Sequence, residues 1–84
     1  MFVKAQGVDK IVNLNKMAII YMTDKSDCYE ISCCNNKFDI TLAIYTDSKD
    51  AEKYFDWFCQ AISDGDCFFF RFPDDPKLGE KNDQ

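Results

Sequence analysis

Five cysteines, Cys28, Cys33, Cys34, Cys59 and Cys67, are the side chains in this 84-residue sequence best suited to nucleophilic, redox or metal chemistry. Histidine is absent and arginine occurs once, as Arg71, so no thiol or serine has an imidazole to take its proton. The lysines stand in polar stretches with nothing to bury them and depress their pKa, which leaves no general base. The cysteine count is odd, no CxxC pair occurs, and adjacent Cys33 and Cys34 on a strand point to opposite faces. Reduced thiols used as small apolar residues fit better than a metal cluster or a disulfide framework. Asp64 with Asp66 and Asp74 with Asp75 flank glycine or proline, as turn residues do, and lack the ligand spacing of a calcium loop. Gly7, Gly65 and Gly79 are isolated, so no phosphate-cradling loop can be built. The expectation is a non-enzymatic chain with no cofactor and no metal.

Charge narrows the partner. The net charge is −5, and residues 1–46 balance five acids with five lysines, whereas residues 47–84 carry ten acids against five basic groups. A field of that sign repels phosphate backbones and disfavours direct nucleic-acid binding. It also permits an alternative role, in which Asp50, Asp56, Asp64 and Asp66 stand in for phosphates and block a basic nucleic-acid-binding partner. No apolar run reaches the roughly 18 to 20 residues of a membrane span, and MFVKAQGVDK lacks the apolar stretch of a signal peptide. A cytoplasmic location without a membrane partner follows as an expectation.

The elements that must position any site are read from hydrophobic period. Phe38, Ile40, Leu42 and Ile44 alternate with Asp39, Thr41, Ala43 and Tyr45, as on a strand with one buried face. From Ala51 the apolar residues recur as Tyr54, Phe55, Phe58 and Ile62, which predicts a helix over 48–63. Thr46, Asp47 and Ser48 supply oxygens for its N-terminal amides, and Gly65 a left-handed residue for its end. Upstream, residues 1–6 and 11–13 form a first hairpin, and strands over 16–23, 28–34 and 38–45 follow, joined at Asp24–Asp27 and at Asn35-Asn36.

A two-residue loop at Asn35-Asn36 sets Cys33 opposite Phe38, Ile31 opposite Ile40 and Tyr29 opposite Leu42. The preceding turn sets Ala18, Ile20 and Met22 opposite Cys33, Ile31 and Tyr29, so three strands share one apolar face. Phe68, Phe70 and Phe72 alternate on a last strand over 67–72, expected to pair with another strand, the N-terminal one being a candidate, because three consecutive phenylalanines on an open edge invite aggregation. The fold class is α+β: an antiparallel meander of four to five strands on one amphipathic helix, with a short aromatic strand after it. One domain over 1–72 and a polar, disordered tail over 73–84 complete the expectation.

With catalysis set aside, recognition by surface contact is left. If Ile20 and Met22 face the helix, Ile19 and Tyr21 face away, together with Met17, Ala43 and Tyr45, unless the first hairpin covers them. Trp57 and Tyr54 offer a second patch at the margin of the helix stripe. The partner-contact candidates are therefore Ile19, Tyr21, Tyr45, Tyr54 and Trp57, facing a protein partner or a second copy of the chain. A short opening strand, IVNLNKMAII, the strand and helix start ITLAIYTDSKDAEKYF, and Asp47-Ser48-Lys49-Asp50-Ala51-Glu52 resemble small uncharacterised meander-plus-helix proteins of Gram-positive bacteria and their phages. The resemblance spans residues 2–62 and implies a β-meander with a helix and a bacterial or phage setting, with no activity or binding residues to carry over.

Overall fold

The helix forms where the period changes. In the computed structural model, which describes residues 1–77, α1 runs Ser48–Ser63. Asp47 is its N-cap, in extended conformation, with Oδ1 accepting from the Lys49 amide at 2.8 Å. The other end differs from expectation. Asp64, also extended, is the C-cap, its carboxylate accepts from the Asp66 amide at 3.1 Å, and Gly65 is not left-handed.

Five strands precede the helix and one follows: β1 (Phe2–Lys4), β2 (Ile11–Asn13), β3 (Ile19–Asp24), β4 (Tyr29–Cys34), β5 (Asp39–Tyr45) and, after α1, β6 (Phe69–Arg71). The chain is α+β, as its pattern predicts. The strands divide into two sheets of three, ordered β2-β1-β6 and β3-β4-β5. Leu14–Lys16 is a single 3₁₀ turn at the interruption the sequence indicates, and the strand expected from residue 16 begins at Ile19. The second sheet is an antiparallel meander, and the first is mixed, because β6 lies parallel to β1 with Phe2, Val3 and Lys4 beside Phe69, Phe70 and Arg71. Pairing of the aromatic strand with the N-terminal one places Phe70 beside Val3 on the covered side.

Both meander hairpins close on two residues, one position later than the asparagine and aspartate signals indicate. Asn35 pairs with Phe38 and uses its side-chain oxygen to accept from the Lys37 and Phe38 amides, so Asn36-Lys37 is the loop. Lys25 pairs with Cys28 around Ser26, whose φ is +67°, and Asp27. Each register is thus displaced by two residues, with Cys33 opposite both Ile20 and Ile40. Side chains alternate with period two, so this displacement leaves every residue on its expected face.

A single inserted residue does not. Ser32 pairs with Thr41 but Ile31 pairs with Ala43, which makes Leu42 a β-bulge. Beyond it the alternation of β5 is reversed: Ala43 and Tyr45 turn into the core while Ile44 turns out, 41% exposed. The expectation that Ala43 and Tyr45 face away from the helix, and Ile44 towards it, is overturned by that bulge. Gln6 holds the bulge in place. Its amide donates to the Leu42 carbonyl at 2.7 Å and its side-chain oxygen accepts from the Ile44 amide at 2.8 Å, replacing ladder bonds at the open edge of β5.

One core joins both sheets to the helix. Val3 and Val12 from the mixed sheet, Ile31, Cys33, Leu42, Ala43 and Tyr45 from the meander, and Ala51, Tyr54 and Phe58 from α1 form one buried cluster with Phe72. Phe58 packs on both Phe70 and Phe72, with ring centroids 5.1 and 4.9 Å away, and those two rings are 5.0 Å from each other. A buried ring of this kind contributes roughly 1.5–3 kcal/mol by leaving water, which matters in a domain this small.

The packing does not end at Phe72. The Pro73 carbonyl accepts from Gln6 Nε2 at 2.9 Å and from the Tyr45 hydroxyl at 2.6 Å. Asp75 is 3% exposed and its carboxylate accepts from the Thr46 amide and hydroxyl, each at 3.0 Å, and from the Lys77 amide. Residues 73–77 therefore belong to the fold, not to a polar tail. The part of that expectation covering 78–84 lies outside the described residues.

Candidate protein-contact surface

The residues singled out as contacts fall into two environments. Ile19 lies on the outer face of the meander and is 57% exposed, so the first hairpin does not cover it. Tyr21 shares that face, and its hydroxyl donates to Asp39 across the sheet at 2.8 Å, which holds the phenol pKa above its usual value. Tyr45 is fully buried, and Tyr54 nearly so; neither presents its ring to a partner. Burial first, then the neighbouring Tyr54 and the Asp75 and Asp74 charges, push the Tyr45 phenol far up. Trp57 stacks edge-on against Tyr54 at 5.1 Å and remains half exposed, with the Lys53 ammonium 5.0 Å from its ring.

The four acidic candidates do not converge. Asp50 and Asp56 are six residues apart on α1, about 120° apart around its axis and about 9 Å along it. Asp64 lies about 21 Å along the axis from Asp50, and its carboxylate is engaged with the turn that carries Asp66.

The cysteines are free: Cys33 is buried, Cys28, Cys34 and Cys67 are partly exposed, and Cys59 is exposed on the helix. Burial raises the thiol pKa of Cys33, and of Cys28, where Asp27 adds to it. Neither is activated as a nucleophile, since that needs a depressed pKa. Among the described residues no cluster of three His, Cys, Asp or Glu could hold a metal ion. Nor, among the described residues, is any helix long and apolar enough to cross a membrane.

One bare aromatic surface is not assigned by sequence reasoning. On the mixed sheet Phe2 lies beside Phe69, 49% and 45% exposed, and the Phe2 amide donates to the carbonyl of Phe68, itself 78% exposed. The signal was present in Phe68-Phe69-Phe70. On a strand, consecutive side chains point to opposite faces, so burying Phe70 under the helix obliges Phe69 to face out. A second feature is a groove of about 700 Å³ between β2 and the start of β5, lined by Ile11, Val12, Met17, Phe38 and Ile40 with Lys10, Lys16 and Lys37 at its rim.

The arrangement defines a small α+β protein with an engaged polar interior and an aromatic outer face. No family model, curated protein or solved structure matches the chain.

Proposed function

We propose that the chain is a non-enzymatic module that acts by protein contact, through the outer face of the mixed sheet at Phe2 and Phe69 and the exposed Phe68 next to it. The observation that carries this reading is the exposure of Phe2 and Phe69 side by side on adjoining strands, with Phe68 just before β6 78% bare, in a chain with a filled core elsewhere. Clustered apolar exposure is costly in solution and marks interaction sites, and aromatic rings are the commonest anchors of interfaces. A partner of this chain buries that face, and a second copy is the simplest such partner. The five unpaired thiols suit a reducing, cytoplasmic setting. The dispersal of Asp50, Asp56, Asp64 and Asp66 favours contact over nucleic-acid mimicry.

The test compares wild type with Phe2→Ser/Phe69→Ser. The reading expects a matched urea midpoint, because both rings are already half in water, and at least a tenfold loss of self-association by sedimentation or of a protein captured from native extract. Equal retention by the two proteins defeats it.

A further inference from the structure

The groove between the two sheets is bounded by strand edges with unpaired backbone. On β2, the Ala5 amide donates to the Lys10 carbonyl at 2.9 Å and the Leu14 amide to the Met1 carbonyl at 3.0 Å. Opposed residues in an antiparallel pair alternate between bonded and non-bonded positions. Lys10, Val12 and Leu14 therefore bond towards β1, and the backbone groups of Ile11 and Asn13 point away from it. On β5, the Asn35 amide donates to the Phe38 carbonyl at 2.8 Å, so Phe38 and Ile40 bond towards β4 and the groups of Asp39 point to the open side. Among the described residues no strand lies beside either edge, β2 and β5 being each the last strand of their sheet, and Gln6 engages only the far half of β5, at Leu42 and Ile44.

The side chains around this gap carry a charge unlike the rest of the molecule. Lys10, Lys16 and Lys37 rim it against one acid, Asp39, whose carboxylate already accepts from Tyr21. Among the described residues none of the three lysines forms an ion pair. The chain as a whole is at −5. The floor is apolar, and Phe38 and Ile11 are 61% and 62% exposed at its edges. Its walls are fixed, because Asn35 Nδ2 donates to the Lys16 carbonyl at 2.9 Å while its oxygen caps the Lys37 and Phe38 amides.

We propose that this groove binds an extended acidic segment of a partner protein as an added β-strand. Open edges supply main-chain pairing, the floor takes every second side chain, and the lysines select carboxylates on the others. Three residues on each wall, at about 3.3 Å of rise apiece, match a segment of about three to four residues. A nucleic-acid strand fits less well, since it has no N–H and C=O ladder to offer β2 and β5, and the overall negative charge repels it. The site is separate from the phenylalanine face, so the two stand or fall independently.

The probe is a fluorescein-labelled peptide of alternating glutamate and valine, six residues long, titrated with the intact protein and followed by fluorescence anisotropy. The expected result is saturable binding that weakens at least tenfold for Lys16→Glu/Lys37→Glu, both exposed positions, and steeply with added salt. If that variant has a lowered urea midpoint, Lys16→Gln/Lys37→Gln serves in its place, with at least a threefold loss expected. N-methylation of either alternate set of peptide amides removes the pairing to one wall, so both methylated peptides bind at least tenfold more weakly. Undiminished binding of both methylated peptides, equal binding of a lysine-valine peptide, or no saturable binding overturns the proposal. So does tighter binding of a ten-nucleotide thymidylate strand, or a dimer of this chain that the lysine variant dissolves.

Discussion

Replacing Tyr45 by phenylalanine makes the protein less stable near neutrality and more stable in alkali. The ring is wholly buried and stacks on Tyr54, and phenylalanine keeps that packing, so the change isolates the hydroxyl. Its bond to the Pro73 carbonyl measures 2.6 Å, but Gln6 Nε2 still reaches the same oxygen, and nothing is left unpaired. The cost near pH 8 is therefore that of one ordinary hydrogen bond, about 1 kcal/mol, and not the 2–3 kcal/mol of an orphaned buried acceptor. The alkaline half has the opposite sign.

Burial raises the folded-state pKa of Tyr45 above the 10.0 of a free phenol, so its contribution is fully present below pH 10. As pH rises, the unfolded chain ionises first and gains about 1.4 kcal/mol by pH 11. Phenylalanine has no such loss, and the other titrating groups cancel between the two proteins. The stability difference should pass from about 1 kcal/mol in favour of wild type at pH 8 to about 0.4 kcal/mol in favour of Tyr45→Phe at pH 11, by the same two magnitudes. Urea unfolding followed by Trp57 fluorescence reads both values. Parallel profiles for the two proteins would show that Tyr45 ionises as freely when folded, and would refute its burial by the bulge.

Other perturbations bear on the core and the thiols. Phe58→Ala removes the ring packed on Phe70 and Phe72 and should cost about 3–5 kcal/mol, a large part of the roughly 4–13 kcal/mol typical for a chain of this length; a loss below about 1.5 kcal/mol in urea unfolding counts against the shared core. Alkylation of the native protein by iodoacetamide, mapped by mass spectrometry, should modify Cys59 first and Cys33 last, because Cys33 is buried with its pKa raised. Early modification of Cys33 would point to a redox role instead.

The features legible in the sequence are those set by local pattern. The helix over Ser48–Ser63 announced itself by a capping aspartate and a stripe through Ala51, Tyr54 and Phe58, all of which the structure buries. Strand faces before the bulge survived an error of two residues in each hairpin, because the period of a strand is two. The bulge itself left no such trace: Leu42, Ala43, Ile44 and Tyr45 are all apolar, so either alternation reads equally well. The residue that engages it, Gln6, is distant in sequence and bonds to the Leu42 carbonyl and the Ile44 amide. The same non-locality hid the last segment. Pro73 and Asp75 read as turn residues opening a polar tail, and only the folded chain brings them to Tyr45 and Thr46. Of the candidate contact residues, Ile19 and Trp57 are exposed, whereas Tyr45 and Tyr54 are buried.

Relaxation of aromatic ring protons by a soluble gadolinium chelate reads the division between interior and contact face in one NMR experiment. Strong broadening of Phe2, Phe68 and Phe69, with Tyr45, Phe58 and Phe72 protected, is the expected result. Broadened Tyr45 with protected Phe68 and Phe69 would contradict the claim that the bulge turns Tyr45 inward and leaves the phenylalanine face free to meet a partner.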